Sequence, residues 1–402
     1  MSGWLDIGPG EPSLDDLPYG VFASGESRHL CVAIGQWAFD LHRAANVGLF
    51  NDEVPPSVLM AGSLNPLLAL GPDEWSAVRR RIVHLFSDAG ERPRVEPLLE
   101  HRNDLRLHLP WEVADFVDFY SSRQHAENVG RLFRPGGEPL LPNWRHLPVG
   151  YHGRSGTVYV SGTEITRPFG QRLIDGSPAF GPTQRLDMEV EIGYVLGNPT
   201  RPGEPVSTEE AWRHIFGVVA LNDWSARDIQ AFEYQPLGPF LGKSFATSVS
   251  AWVIPIEALD SSRVPSPPQE PAPLPHLRQV PDWAFDLSLD AWIRPEGGDA
   301  HRVSTTNARH LYWTPPQQVA HMTSNGSHIR AGDLIGTGTI SGDGQESLGS
   351  LLELTLDGER PITVGDSQRA YLADGDEVVI TATANRPTGP SRIAEVRGII
   401  RP

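Results

Sequence analysis

Residues 186–196 constrain the fold of this chain most, because apolar side chains recur there at every second position. A period of two predicts a β-strand whose alternate residues lie on opposite faces. One face is apolar, and the other carries the three acids Asp187, Glu189 and Glu191. Close carboxylates repel each other, most strongly when buried, and a bound cation relieves the repulsion. Oxygen ligands without His or Cys favour magnesium or calcium. A solvated edge strand with an acidic face is the alternative.

The length and composition favour two domains with many strands. A chain of 402 residues exceeds what one ordinary hydrophobic core organises. The 40 glycines and 37 prolines indicate many turns. Residues 1–110 are predicted to form a small separate unit, with short strands at 29–35 and 37–41 and a helix at 72–86. Residues 111–402 are predicted to form a larger mixed domain.

The larger domain is predicted to contain several strands and one early helix. The strands are expected near residues 157–165, 186–197, 216–222, 284–294, 351–357 and 377–383. The helix is expected to follow Ser121, because Ser121 and Gln124 have the spacing of a capping box. Residues 263–281 hold seven prolines, which predicts an irregular loop or a polyproline II segment.

The charge balance and the cysteine count exclude several classes of protein. With 33 basic and 50 acidic residues the formal net charge is −17, which disfavours nucleic acid and anionic membranes as partners. Cys31 is the only cysteine, so neither an intramolecular disulfide nor a thiolate metal cluster is possible. No apolar stretch reaches membrane-spanning length, and no signal peptide is visible. We therefore expect a cytoplasmic protein.

Two acids and a histidine occur near predicted element ends. Asp118 is expected just before the early helix and His125 about one turn inside it. A carboxylate at a helix amino terminus is stabilised by the helix dipole and also serves as a metal ligand. Asp223 follows an apolar strand, at the start of a helix for which Ser225 and Asp228 predict a capping box. An ordinary cap or a surface residue is the alternative in each case.

Polar side chains further along the chain are candidates for binding or catalysis. Arg227, Gln230 and Tyr234 share one helix face if the helix extends far enough, and such donors hold an oxyanion or a substrate carboxylate. Lys243 lies in a loop rich in Gly, Pro and aromatic residues, where the backbone is able to approach a ligand closely. The alternatives are a solvated helix face and a surface turn. Glu353 interrupts an apolar strand, and a buried acid needs a partner such as a histidine.

Together these segments resemble the fumarylacetoacetate hydrolase family over nearly the whole chain. The matching runs are DFYSSRQHAENVGRLFR, LPVGYHGRSGTV, FGPTQRLDMEVEIGYVLG, GVVALNDWSARDIQAFEYQPLGPFLGKSFATSVSAWV, GDLIGTGTISG and LGSLLEL. The resemblance is weaker at residues 320–326 and 342–346, which hold none of the residues assigned to the chemistry. It implies a mainly β fold with some α, namely a small SH3-like β-barrel followed by a mixed β-sandwich roll. It also implies a homodimer.

The resemblance further implies the residues of a site. The implied metal ligands are Asp118, Glu189, Glu191 and Asp223, for magnesium, calcium or both, with Lys243 and Thr247 bordering a second cation position. The implied catalytic groups are His125 paired with Glu353, and Arg227, Gln230 and Lys243 as an oxyanion site. The implied substrate contacts are Tyr120, Arg134, Tyr151, Gln230, Tyr234 and Thr339.

The implied reaction is metal-dependent hydrolysis of a carbon–carbon bond in a small diketo acid, 4-fumarylacetoacetate. Its products are fumarate and acetoacetate, at the last step of tyrosine and phenylalanine degradation. In this chemistry His125, oriented by Glu353, activates a water molecule. The oxyanion site and a divalent ion stabilise the developing negative charge, and Arg134 holds a substrate carboxylate. The alternatives are an acylpyruvate hydrolase, an oxo-acid decarboxylase or a hydratase of the same superfamily, or a degenerate metal-binding protein.

Overall fold

The structure, a computed structural model, describes residues 3–8 and 10–402 and consists mainly of β-strands with short helices between them. A small amino-terminal β unit precedes a larger part built on a curled sheet. The predicted fold class is therefore confirmed. The α-helices are Leu41–Asn46, Pro56–Leu59, Asn65–Leu68, Pro72–Ser87, Arg92–Val95, Arg123–Phe133, Arg227–Glu233, Pro315–Thr323 and Leu351–Leu354. Across the described residues, no helix is both long enough and apolar enough to cross a membrane.

The amino-terminal unit is a five-stranded sheet covered by a helix. Its strands follow the order Leu99–His101, Trp37–Asp40, Ser27–Ile34, Tyr19–Ser24 and Leu107–His108. The strands predicted at 29–35 and 37–41 are thus present, and the helix predicted at 72–86 is observed as Pro72–Ser87. Trp75 and Val78 on this helix join an apolar core that continues into the larger part through Val195 and Phe216.

An eight-stranded sheet forms the centre of the larger part. Along its main path the strands are Gly150–His152, Phe116–Phe119, Leu334–Gly336, Val190–Leu196, Ile215–Asp223, Thr247–Val249 and Val158–Val160, and Ile254–Pro255 also pairs with the fifth of them. The strand Val190–Leu196 lies inside this sheet, and all of its residues are buried. The alternative of a solvated edge strand is therefore wrong.

A second five-stranded sheet packs against the central sheet. Its strands follow the order His301–Asn307, Leu287–Arg294, Glu377–Arg386, Gly389–Arg401 and Ile165–Thr166. Apolar residues from both sheets, such as Leu289 and Ile192, form one buried cluster. The remaining strands pair two by two as Phe169–Ile174 with Ser177–Pro182, Leu186–Asp187 with Ser225–Ala226, Arg263–Val264 with Ala284–Phe285, and Ile362–Val364 with Ser367–Arg369.

The continuous strand predicted at 186–197 is wrong, because the structure divides it into Leu186–Asp187 and Val190–Leu196. The carboxylate of Asp187 accepts hydrogen bonds from the backbone N–H groups of Leu351 and Leu352, at 2.7 and 3.0 Å. These contacts hold the strand Leu186–Asp187 outside the central sheet. Alternation of side chains cannot reveal such a break, because the pattern of residue types continues across it.

The strand predicted at 351–357 is also wrong, because Leu351–Leu354 is a single helical turn. Ser350 caps this turn, and its side chain accepts from the N–H of Glu353 at 3.4 Å. Asp187 accepts two further N–H groups of the turn. Side-chain acceptors thus satisfy donors that a strand would have paired with a neighbour.

Both predicted capping boxes are wrong. Ser122 rather than Ser121 caps the helix Arg123–Phe133, and its Oγ accepts from the N–H of His125 at 3.3 Å. The helix Arg227–Glu233 begins without a side-chain cap. Asp228 instead accepts from the N–H of Gln184 at 2.9 Å.

Of three smaller predictions, two are wrong and one agrees with the structure. Asp118 lies in a strand, not beside the helix start. The strand expected at 157–165 is two strands, which belong to different sheets. Residues 263–281 are irregular apart from Arg263–Val264 and a 3-10 turn at Pro275–Leu277, as the prolines predicted.

Candidate active site

Three of the predicted metal ligands meet at the centre of the eight-stranded sheet. Asp118, Glu191 and Asp223 lie on three different strands of this sheet, and all three side chains are buried. One carboxylate oxygen from each residue lies within 4.8 Å of the oxygens from the other two. Three oxygens at this spacing are able to hold one metal ion. We call these residues the three-acid group.

Two oxygens of the three-acid group lack a hydrogen-bond partner among the residues that the structure describes. They are Asp118 Oδ1 and Glu191 Oε1, both buried. Burial raises the pKa of Asp118 to about 6, against the opposing effect of Arg154. Burial and the neighbouring carboxylates raise the pKa of Glu191 well above its ordinary value. Because unpaired buried acids are costly and hard divalent ions prefer oxygen ligands, this donor set fits magnesium or calcium.

Glu189, the fourth predicted metal ligand, is held by two cations. Lys243 Nζ lies 2.5 Å from Glu189 Oε2, and Arg227 Nη2 lies 2.8 Å from Glu189 Oε1. Burial opposes a charge on Glu189, but these cations outweigh it and hold its pKa below the ordinary value. Glu189 is therefore an ionised neighbour of the three-acid group, with both of its oxygens already engaged.

Lys243 and Thr247, predicted to border a second cation, both contact Asp223. Lys243 Nζ lies 2.6 Å from Asp223 Oδ2, and Thr247 Oγ1 donates to Asp223 Oδ1 at 2.7 Å. Burial opposes the charge of Lys243, yet Asp223 and Glu189 raise its pKa above the ordinary value. The positive charge of Lys243 thus lies beside the predicted position of the second cation.

Arg154 enters the same site, and the sequence analysis did not identify it. Its Nη1 contacts Asp223 Oδ1 and lies 3.1 Å from Thr247 Oγ1. Its Nη2 lies 2.5 Å from Asp118 Oδ2 and 2.9 Å from Tyr151 Oη. The backbone of Arg154 has φ of 59°, in the left-handed region that a residue with a side chain seldom adopts. The only sequence signal was its place after a glycine in the run LPVGYHGRSGTV.

Asp187, which the sequence grouped with the other acids, makes different contacts. Its Oδ2 accepts from Arg227 Nε at 2.8 Å, and its two oxygens accept from the N–H groups of Leu351 and Leu352. The residue thus joins Arg227 to the helical turn that contains Glu353. Its carboxylate is fully buried and already supplied with donors.

His125 and Glu353 form a buried pair. His125 Nδ1 lies 2.7 Å from Glu353 Oε2. Glu353 also accepts from Asn128 Nδ2, Ser341 Oγ and Ser350 Oγ, each at 2.9 Å. Burial opposes a charge on Glu353, but His125 and these donors outweigh it and lower its pKa. In a neutral imidazole, an ionised acceptor at Nδ1 favours the proton on that nitrogen and leaves the lone pair on Nε2.

Arg227 and Gln230 are neighbours on the helix Arg227–Glu233. Arg227 Nη1 donates to Gln230 Oε1 at 3.2 Å, which leaves the amide NH₂ of Gln230 as a donor for a ligand. Tyr234 follows this helix and is 45% exposed, and its Oη accepts from Gln235 Nε2 at 3.0 Å. The three residues therefore differ in accessibility, although they share one short segment.

Two predicted substrate contacts lie close to the enclosed part of the site. The ring of Tyr120 packs edge-on against the ring of His125, with centroids 5.3 Å apart. Thr339 Oγ1 is buried and has no hydrogen-bond partner within the described part of the chain. An unpaired buried hydroxyl is unusual, and it offers a ligand both a donor and an acceptor.

Tyr151 and Arg134, two further predicted substrate contacts, are already bonded within the chain. Tyr151 Oη accepts from Arg154, as given above, and burial raises the pKa of Tyr151 well above its ordinary value. Arg134 is exposed at the end of the helix Arg123–Phe133, and its Nη2 donates to the carbonyl of Pro139 at 2.6 Å.

The fold and the site define a class of β-sheet enzymes in which a buried carboxylate site for a cation lies near a histidine–carboxylate pair. Residues 115–397 match the family model described as fumarylacetoacetate (FAA) hydrolase C-terminal. Residues 15–110 match the model described as fumarylacetoacetase N-terminal. The chain belongs to the fumarylacetoacetate hydrolase family.

Curated relatives and solved structures agree with this assignment. The fumarylacetoacetase of Rattus norvegicus is 45% identical over 382 residues, which cover 92% of this chain and 91% of the relative. That of Caenorhabditis elegans is 44% identical and covers 97% and 96%. The solved fumarylacetoacetate hydrolase from psychrophilic Exiguobacterium antarcticum has a TM-score of 0.56 at 16% identity, with 96% of this chain and 99% of that chain covered. A maleylpyruvate hydrolase from Sphingobium.sp SYK-6 has a TM-score of 0.53 at 14% identity, with the same coverage. At these identities the two structures show a shared fold alone.

Proposed function

We propose that this chain hydrolyses the carbon–carbon bond of 4-fumarylacetoacetate to give fumarate and acetoacetate. The observation that carries the proposal is the buried His125–Glu353 pair, which lies close enough to Glu189 for His125 to help lower the pKa of that acid beside the three-acid group. The relatives in rat and nematode, which match over most of the chain, are fumarylacetoacetases. The protein is a hydrolase that acts on carbon–carbon bonds.

The reaction divides into attack by water and departure of a carbon atom. Water gives a proton to Nε2 of His125, and its oxygen bonds to the ketone carbon beside the alkene. Glu353 stabilises the positive charge that His125 acquires. The bond from that ketone carbon to the neighbouring methylene then breaks, and the electron pair leaves with the acetoacetate carbon. This carbon takes up one proton, which balances the proton that His125 accepted and releases again, so one water is consumed and fumarate contains the new carbon–oxygen bond.

The oxyanion that forms during attack needs preorganised donors. Lys243 has three N–H donors, of which two contact Glu189 and Asp223, so one remains for a ligand. Gln230 offers its amide NH₂, and Arg227 holds that amide in place. Loss of one such donor typically costs about 3 kcal/mol of activation free energy.

A divalent ion completes the proposed site. Asp118, Glu191 and Asp223 would hold magnesium or calcium, with Glu189 alongside, because two of their oxygens are otherwise unpaired. When bound, such an ion supplies Lewis-acid stabilisation of negative charge on oxygen. Chelation of the ion is therefore expected to abolish turnover.

The substrate would contact residues on both sides of this site. We assign Tyr120, Tyr151, Tyr234 and Thr339 to its uncharged parts, and Thr339 offers a free hydroxyl. Arg134 would release the Pro139 carbonyl and bind a carboxylate of the substrate in a two-pronged contact.

We also propose a homodimer in the cytoplasm. Exposed apolar side chains support an interface with a second copy, among them Phe180 at 74% and Leu237 at 96% exposure, since large apolar groups in water favour association. The cytoplasmic location rests on the sequence, in which Cys31 is the only cysteine.

A comparison of substrates tests the proposed function. Purified protein with magnesium would be offered fumarylacetoacetate, an acylpyruvate and an oxo-acid in separate assays. We expect fumarylacetoacetate to be cleaved fastest, with equal amounts of fumarate and acetoacetate. Faster cleavage of the acylpyruvate, release of carbon dioxide from the oxo-acid, or metal binding without any turnover would each replace this function with one of the alternatives.

A further inference from the structure

The two Nη groups of the Arg154 guanidinium are fully used inside the site, whereas its buried Nε has no hydrogen-bond partner among the described residues. Its side chain is 4% exposed, and its two Nη atoms carry four hydrogens. Nη1 contacts Asp223 and Thr247, and Nη2 contacts Asp118 and Tyr151. No Nη hydrogen is therefore left for a substrate carboxylate, which distinguishes Arg154 from the exposed Arg134.

Aromatic rings enclose the same guanidinium. Its central carbon lies 4.7 Å from the ring centroid of Phe116 and 5.3 Å from that of Tyr151. Cation–π contacts of this kind favour a permanent positive charge. The left-handed backbone at Arg154, with φ of 59°, is unfavourable for a side-chain-bearing residue and persists only when its surroundings fix it.

This guanidinium lies where the family resemblance implies a second cation. That position was expected to be bordered by Lys243 and Thr247, which both contact Asp223 in the structure. Asp223 Oδ1 already accepts from Arg154 Nη1 and Thr247 Oγ1, and Asp223 Oδ2 lies 2.6 Å from Lys243 Nζ. A metal ion at this position would have to displace Arg154 and would lie beside a second positive charge.

The ion-paired network around the three-acid group, which does not include the His125–Glu353 pair, favours a single divalent ion. The carboxylates are Asp118, Asp187, Glu189, Glu191 and Asp223, and the cations that contact them are Arg154, Arg227 and Lys243. Five acids and three cations leave two formal negative charges when every group is ionised. One divalent ion balances them, and a second would leave an excess positive charge in a buried site, which is costly.

We propose that the guanidinium of Arg154 is the resident second cation of this site, so that each chain takes up one divalent ion and not two. This inference deepens the metal part of the proposed function and rests on it. Arg154 is a positioning residue, because it fixes Asp118 and Asp223 without contacting the reacting atoms. Asp118 Oδ1, which has no hydrogen-bond partner among the described residues, then stays available for the bound ion.

Metal stoichiometry tests the inference without reference to turnover. The full-length protein would be stripped with a chelator and dialysed to equilibrium against Mn²⁺, which also prefers oxygen ligands. Bound metal would then be counted per chain. We expect one ion in the parent, two in Arg154→Met, and one in Arg154→Lys, which keeps a positive charge. The exposed Arg201→Met serves as the matched control and should bind one.

The outcomes separate this inference from the proposed function. Two ions in the parent, or one ion in a folded Arg154→Met protein, would overturn the role of Arg154 and leave hydrolysis untouched. No bound ion in the parent would overturn both the inference and the metal part of the proposed function. If Arg154→Met fails to fold, as circular dichroism would show, the count in the parent still decides.

Discussion

At the scale of single residues, the proposed function assigns the central chemical role to His125 and Glu353. Changing His125→Ala or Glu353→Gln should lower turnover by about 100- to 10,000-fold, the usual contribution of a general base. Metal binding should be retained, because neither residue belongs to the three-acid group. Steady-state kinetics together with metal analysis of each variant checks both parts of this expectation.

The double variant adds a sharper test of the same pair. Because the carboxylate acts through the imidazole, the combined loss should be little greater than the larger single loss. A loss equal to the product of the two single losses would mean that the residues act independently. Full activity in His125→Ala would move the base elsewhere, and His321 and His328 would be tested next.

Glu191, a proposed metal ligand, is expected to lower the stability of the folded protein when no metal is bound. In chelator near pH 7, Glu191→Gln should raise the free energy of unfolding by about 1–3 kcal/mol, since the new amide donates to the unpaired Asp118 Oδ1. The pKa of Glu191 is raised on folding, so its charge costs stability as pH rises through the folded pKa. The gain should therefore shrink in acid.

Denaturant unfolding with and without magnesium measures this effect. The parent should be stabilised by magnesium and Glu191→Gln should not, because the variant loses most of its metal affinity. The exposed Glu204→Gln should behave as the parent in both conditions. Equal stabilisation of Glu191→Gln and the parent by magnesium would remove Glu191 from the metal site.

The residue types in the sequence predicted some members of this site but did not predict others. The alternation around Glu191 and the isolated acid at Glu353 indicated buried carboxylates, and the structure places both inside the protein. No sequence pattern indicated Arg154. Its contacts depend on a left-handed backbone conformation, which directs its side chain toward Asp118 and Asp223 on distant strands. Asp187 was grouped wrongly, since it binds Arg227 and the N–H groups of Leu351 and Leu352, and the latter two lie more than 160 residues further along.

At the scale of elements, the helical turn Leu351–Leu354 decides where Glu353 lies. A short apolar run does not distinguish a strand from a helix. Ser350 and Asp187 make it a helix by accepting its first N–H groups. One of these acceptors is local and the other is distant in sequence. For that reason the sequence predicted an apolar element at this position but not its type.

Asp187 should therefore matter to two elements at once. Asp187→Asn removes the charge that faces Arg227 and weakens the acceptor at the start of the helical turn. We expect a loss of about 3–5 kcal/mol in the free energy of unfolding, as for other broken buried ion pairs, and a lower turnover. Denaturant unfolding and kinetics measure both, with the exposed Asp52→Asn as control. A variant that matches the parent in both would show that Asp187 positions neither element.

At the scale of the whole molecule, composition predicted a strand-rich fold, and the observed sheets confirm it. The order of the strands could not be predicted from the sequence pattern. The central sheet brings residues 116–119, 190–196 and 334–336 side by side, and pairing between such distant segments leaves no local pattern. The family resemblance supplied the architecture that periodicity does not specify.

The homodimer is the prediction that belongs to this scale. Light scattering on the purified protein should give about twice the chain mass of 44.1 kDa, since exposed apolar side chains such as Leu237 and Phe240 favour burial against a second copy. A stable monomer at micromolar concentration would contradict the prediction. The same measurement on Leu237→Asp shows whether this loop forms part of the interface.

The central claim is that water, activated at His125, cleaves the carbon–carbon bond of fumarylacetoacetate. The most direct test is turnover by the metal-loaded protein in oxygen-18 water, with the products followed by mass spectrometry. Fumarate should gain one heavy oxygen in a carboxylate beyond the exchange seen in unreacted substrate, acetoacetate should gain none beyond that exchange, and His125→Ala should give almost no product. A metal-loaded parent that leaves fumarylacetoacetate intact, or that releases fumarate without the heavy oxygen, would contradict the claim.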